Sequence, residues 1–208
     1  MRQTIIENPI INSPYIKPNR HFKFSDDGIT NEIVDGRRSS AYFIPIASPR
    51  SKKKGGQYTF ETEWTQDRIQ ENELVNQIRT RLDRWRADKY RGVSRVTRYL
   101  LEYWQDPNRE KKLFFCQIEA AETAIYLTEA ADLYGDGWIA NTLREKNDQA
   151  NSSLYRIAFK MATGSGKTVV MAMLICWHVL NKKTNLQDTR FSDAFLIVTP
   201  GITIRDRL

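Results

Sequence analysis

The 208-residue chain is long enough for one sizeable core, or for one core with an attached helical piece. Its 40% apolar, 11% aromatic and 27% charged residues make an ordinary soluble composition and exclude wholesale disorder. The formal charge of +7 is mostly local: between Arg50 and Lys112, 16 Lys and Arg face 10 Asp and Glu, a net +6. Such a region suits a polyanionic partner such as nucleic acid, and it equally suits a solvated helical surface.

Cys116 and Cys176 form neither a disulfide framework nor a metal-ligand spacing. Both fall in apolar helical patterns, which predicts buried free thiols and a reducing, cytoplasmic setting. The N-terminus has no secretory pattern, and the longest apolar run, Val169–Trp177, is far short of a membrane span.

In chain order, residues 1–64 read as an irregular arm with short strands. Prolines at 9, 14, 18, 45 and 49 exclude long helices, and Asn8-Pro9, Asp26-Asp27-Gly28 and Asp35-Gly36 mark turns. Extended pieces are expected at Ala41–Ile46 and Gln57–Trp64, with Lys52-Lys53-Lys54-Gly55-Gly56 as a loop between them. The arm is expected to lie over a larger body rather than to form its own core.

Residues 65–112 read as a basic helical region. Leu74, Val75, Ile78, Leu82 and Trp85 share one face at helical spacing. Gly92 breaks that run, and Val93, Val96, Leu100 and Tyr103 start a second stripe, which Asp106-Pro107-Asn108 ends. A third helix is expected from about Phe115 to Tyr134, with Ile118, Ala121 and Ile125 inward and Ala120, Ala121 and Ala124 allowing close packing. Gly135-Asp136-Gly137 then reads as a turn and 136–153 as a polar insertion anchored by Trp138, Ile139 and Leu143. The tryptophans read as anchors rather than base-stacking platforms. His21 and His178 have no partner at catalytic or metal spacing.

The pattern changes after residue 153. Leu154–Met161 is a strand candidate, Lys167–Leu180 a helix apolar nearly all round, and Ala194–Val198 a buried strand of the parallel-sheet kind. Together they predict a βαβ unit with a right-handed crossover. Between the first strand and the helix stands Ala162-Thr163-Gly164-Ser165-Gly166-Lys167-Thr168. Gly164 and Gly166 let the backbone approach phosphates and take positive φ, so that loop and helix N–H groups can wrap an anion. Lys167 would place a cation on the β- and γ-phosphates, and Thr168 would offer its hydroxyl to Mg2+. The strict G-x-x-x-x-G-K-[ST] pattern fails at its first position, Met161, whereas A-x-x-G-x-G-K-[ST] fits from Ala162.

Two further segments are ambiguous by residue type alone. Gln117 could read an adenine edge, or could be a capping or surface residue. Thr199-Pro200-Gly201-Ile202-Thr203-Ile204-Arg205 could hold nucleic-acid phosphates, or could be an ordinary turn and helix start.

Phe115-Cys116-Gln117-Ile118-Glu119-Ala120-Ala121, the Met161–Thr168 loop and Ile197–Leu208 come in the order of the opening motifs of superfamily 2 helicases. Their wording resembles the ATP-hydrolysing, DNA-translocating subunit of type III restriction endonucleases, as do Asn12-Ser13-Pro14-Tyr15, Asp26–Thr30 and Gly36-Arg37-Arg38. The resemblance implies an incomplete RecA-like α/β core over 113–208. Gln117 would sit on adenine, Ala162–Thr168 on the phosphates of ATP and Thr168 on Mg2+. Lys167 would be catalytic, by stabilising transition-state charge. Thr199, Gly201 and Arg205 would contact DNA. It also implies double-stranded DNA and a DNA methyltransferase subunit as partners.

Such motors need an Asp-Glu pair and an arginine finger, but after Thr168 the only carboxylate side chains are Asp188, Asp193 and Asp206. The chain is therefore expected to be the N-terminal part of an enzyme and inactive by itself. The rival readings are a helicase without a nuclease, a basic interaction module with a vestigial loop, and an ATPase acting on proteins.

Overall fold

The computed structural model describes residues 6–25, 28–43, 69–150 and 153–198, and the chain divides into two compact units, 1–79 and 80–208. In the first unit, β1 (Arg20–Ser25) and β2 (Gly28–Asp35) pair antiparallel, with Phe22 opposite Ile33 and Phe24 opposite Ile29. This hairpin went unread among the turn signals, although Phe22 and Phe24 alternate with charged and polar neighbours up to Asp26-Asp27-Gly28. Asn12 braces its open end: Oδ1 accepts the Asn19 and Arg20 N–H groups, both at 3.1 Å, and Nδ2 donates to Arg20 O at 2.9 Å.

The expected strand at 41–46 appears as β3 (Ala41–Phe43), paired antiparallel with β4 (Ile69–Glu71). The strand expected at 57–64 lies outside the described residues. Helix α1 (Glu73–Ala87) begins just after β4, and Asn76 ties its first turn to Ser40 through bonds of 2.7 and 3.1 Å.

The second unit is helical: α2 (Arg95–Gln105), α3 (Phe115–Ile125), α4 (Gly137–Ala150) and α5 (Lys167–Thr184). Leu82 and Trp85 of α1 are fully buried, as the stripe predicted, while Val75 is exposed. Gly92 has φ +94, and a Cβ there would lie 2.8 Å from Leu133 Cδ2, so the break requires glycine. The inward face of α2 is Thr97, Leu100, Leu101 and Trp104 rather than the expected Val93, Val96, Leu100 and Tyr103. Trp104 is the larger apolar surface and takes the core position, which turns Tyr103 out to solvent.

The predicted third helix spans the expected range in three windings: α3, a π-helical turn (Tyr126–Ala130) and a 3-10 turn (Ala131–Tyr134). Ile118, Ala121 and Ile125 point inward as expected, and α3 packs against both α2 and α5. The segment read as a polar insertion is helix α4, anchored by buried Ile139 and Asn147, with Trp138 partly exposed. One buried apolar residue in a 14-residue helix is too sparse for a visible apolar stripe, which is why the helix was missed. Trp85, Trp104 and Trp177 are core anchors. Cys116 is exposed and Cys176 half-buried, which corrects the expectation of two buried thiols: Cys116 opens α3 on its outer side.

The expected βαβ sheet is not present among the described residues. Helix α5 is present and runs to Thr184, but Leu154–Met161 and Ala194–Val198 carry no strand pairing, and the two sheets among the described residues are both antiparallel and in the first unit. Leu196 and Val198 are 89% and 82% exposed. Two parallel strands alone leave both outer edges unpaired, and their mutual hydrogen bonds do not offset the ordering cost. What remains is helix packing: Phe159 and Met161 from one segment and Phe195 from the other border a groove of about 360 Å³ along Val170, Leu174 and His178 of α5.

Candidate functional site

The site grows from the start of α5. Gly164 and Gly166 both take φ +78, a left-handed conformation that a side chain would strain. The N–H groups of Gly164, Gly166, Lys167 and Thr168 have no acceptor among the described residues. Four free amides at the N-terminus of an 18-residue helix, together with the positive end of the helix dipole, are an arrangement that favours an anion on general grounds.

Within the loop, Ala162 O is the internal acceptor. It takes Lys167 Nζ at 2.8 Å, Ser165 Oγ at 2.6 Å and Ser165 N at 3.4 Å. The exposed Lys167 ammonium thus bonds to its own loop and can exchange that carbonyl for a more negative oxygen at small cost. The Thr168 side chain, one residue on, is also exposed.

Gln117 reaches this loop from α3 and is only 5% exposed. Its Nε2 donates to Ser165 O at 3.0 Å, and its Oε1 accepts the Phe114 N–H at 2.9 Å. A Cβ on Gly166 would lie 2.1 Å from that Nε2, so residue 166 must be glycine for close approach as well as for φ. Of the two readings of Gln117, capping is observed: it caps α3, and its amide also touches the glycine loop. One N–H and one lone pair of the amide remain for a further partner. The neighbouring Cys116 Sγ lies 3.9 Å from Ser165 O, and partial desolvation of this otherwise exposed residue pushes its thiol pKa up.

Two polar networks hold the elements that carry the site. Glu129, on the π-helical turn, accepts Ser94 N at 2.7 Å, Thr97 Oγ1 at 2.6 Å and Trp177 Nε1 at 2.9 Å. Asn181 Nδ2 donates to Thr97 Oγ1 at 3.0 Å and closes the link between α2 and α5. On the other side of α3, Glu122 is 1% exposed and takes Arg86 Nη2 at 2.5 Å, Arg86 Nε at 2.9 Å and Tyr90 OH at 2.7 Å. Sequence reading missed Glu122 and Glu129, because a carboxylate in a helix reads as surface until its partners are placed.

Residues 111–208 match the family model described as type III restriction enzyme, res subunit. That segment is similar to this family. No curated protein and no solved structure matches the chain. Within the matched segment, Gln117 and the 162–168 loop come together at one place. Thr199, Gly201 and Arg205 lie outside the described residues.

Asp188 and Asp193 are placed elsewhere, and Asp206 lies outside the described residues. Asp188 binds Arg190 at 2.8 Å and Asp193 binds Lys183 at 2.9 Å, the latter near the far end of α5, about 22 Å along the helix from Thr168. No group of three or more His, Cys, Asp or Glu suited to a metal occurs among the described residues, and no described helix is long and apolar enough to cross a membrane.

Proposed function

We propose that the res-subunit segment is the ATP-gripping part of a helicase-like, DNA-translocating restriction subunit. The observation that carries this is the cradle of unengaged amides at Gly164, Gly166, Lys167 and Thr168, with the Lys167 ammonium beside it. The triphosphate of ATP lies on those amides. Lys167 leaves Ala162 O for the β- and γ-phosphates and is the catalytic cation for the developing charge. Thr168 supplies one ligand to Mg2+, and since Asp188 and Asp193 are engaged elsewhere, the remaining protein ligand is an acidic residue outside the described segment.

Gln117 gives its spare amide N–H and lone pair to the adenine edge, a pairing that guanine does not match. It thereby joins base recognition to the Ser165 carbonyl of the loop. Ala162, Thr163 and Ser165 shape the loop wall. Thr199, Gly201 and Arg205 contact the phosphates of double-stranded DNA, a methyltransferase subunit is the modification partner, and the setting is the cytoplasm.

The test is titration of the 208-residue chain with a fluorescent ATP analogue and Mg2+. The parent chain should bind, GTP should compete more weakly than ATP, and Lys167→Ala should lower affinity roughly ten- to a hundredfold, the worth of a hydrogen bond to a charged group. Equal binding by Lys167→Ala, with the helices intact by circular dichroism, would refute the assignment.

A further inference from the structure

Helix α2 turns one face inward, and the opposite side carries Arg95, Tyr99 and Tyr103 at four-residue spacing, one above another along the helix. Tyr99 is 64% and Tyr103 51% exposed. Their rings are stacked, with centroids 6.4 Å apart and planes 9° from parallel. The Arg109 guanidinium lies 4.6 Å over the Tyr103 ring, and its Nη1 is buried without a hydrogen-bond partner. Arg95, at the other end of the line, has no ion pair or hydrogen bond to a described residue. The result is a cation, two parallel aromatic faces and a second cation in sequence along one helix.

The surrounding charge has the sign that a nucleic acid requires. Over residues 89–112, seven Lys and Arg face three acids, Glu102, Asp106 and Glu110, a net +4. Asp106 is partly spent as an acceptor for Asn108 N at 2.8 Å. The helix is also a firm support, because Ser94 and Thr97 at its start are bonded to Glu129 and Asn181.

We propose that the Arg95–Tyr99–Tyr103–Arg109 line is a binding site for single-stranded nucleic acid, with bases stacked on the two tyrosines and phosphates held by the two arginines. Stacking needs an unpaired base whose face is free, so the site selects a single strand over a duplex, and every base has such a face, so it does so without sequence preference. The proposal is independent of the nucleotide site, since none of these residues belongs to the phosphate loop.

The experiment is fluorescence anisotropy of a labelled oligothymidylate with the full chain at low salt. Tyr99→Ala with Tyr103→Ala should weaken binding by about tenfold per ring, and the double Phe variant should bind as the parent does, because the ring and not the hydroxyl stacks. Arg95→Ala with Arg109→Ala should flatten the plot of log affinity against log salt by about 0.7 per lost phosphate contact. Circular dichroism confirms folding, and the tyrosine variants should keep their affinity for the ATP analogue. Oligonucleotide binding unchanged in the double Ala variant, or no binding by the folded parent chain, would overturn the proposal; the second result would leave the face to a protein partner. Loss of ATP binding alone would refute only the nucleotide reading.

Discussion

Gly164 and Gly166 offer an internal control, because they share a φ of +78 and differ in what a methyl group would meet. At Gly164 a Cβ meets nothing within 4 Å, so Gly164→Ala should cost only the left-handed conformation, about 1–2 kcal/mol. At Gly166 the same cost applies, and the Cβ would also fall 2.1 Å from Gln117 Nε2. Something must then move. Gln117 is buried and bonded at both ends of its amide, so displacing it forfeits the 3.0 Å bond to Ser165 O, and leaves part of a polar group unsatisfied, for about 1–2 kcal/mol more. Gly166→Ala should therefore cost roughly 2–4 kcal/mol. Introducing Gln117→Ala first removes the obstacle, and the added cost of Gly166→Ala should then fall to that of Gly164→Ala. Urea denaturation of the four variants and the parent gives the coupling directly. Equal costs for the two glycine variants, or a coupling below about 0.5 kcal/mol, would show that Gln117 does not press on the loop.

Other outcomes follow from the networks around the site. Glu122→Gln should destabilise by about 3 kcal/mol, the lower end for breaking a buried pair, because Asp83 at 2.8 Å and Glu119 at 3.6 Å still face Arg86; a change under 1 kcal/mol in urea denaturation would contradict this. Burial and the adjacent Glu122 push the Tyr90 phenol above its ordinary value near 10, so its contribution is complete below about pH 10 and is lost as pH rises beyond it. Tyr90→Phe should flatten alkaline melting between pH 9 and 11. Burial among Trp177, Phe191 and Phe195 pushes His178 below its usual value, and the ring nitrogen accepts Ser192 N at 3.3 Å, which requires the neutral form. A depressed value means stability that is complete above about pH 6.5 and is lost as pH falls, so His178→Leu should narrow the difference in melting temperature between pH 7.5 and 5.5. Asn181→Leu should loosen the α2–α5 link by about 1–2 kcal/mol, leaving part of the Thr97 and Ser94 hydroxyl pairing unmet; protection of α2 amides from hydrogen exchange should fall with it.

The site was legible because its chemistry is local. A glycine at 164 and at 166, a lysine at 167 and a helix beginning there are consecutive in the chain, and backbone sterics at each residue decide where the amides point. The apolar stripes of α1 and of the 115–134 segment were legible for the same reason, since a 3.6-residue period needs no knowledge of a partner. Helix α4 was not, because one buried isoleucine and one buried asparagine do not make a period.

Tertiary structure decided everything that depends on a partner surface. Leu154–Met161 and Ala194–Val198 have the apolar composition of strands, yet a strand exists only with a neighbour to bond, and neither segment has one among the described residues. The same holds for Tyr103, which fits an apolar stripe by spacing but is outside, because Trp104 wins the core. It holds also for Gln117, whose residue type allowed capping or recognition. Only the packing of α3 against α5 brings its amide to the Ser165 carbonyl and makes Gly166 obligatory beside it. Local sequence determined the glycine loop and the helix that starts from it; the fold determined what leans on it.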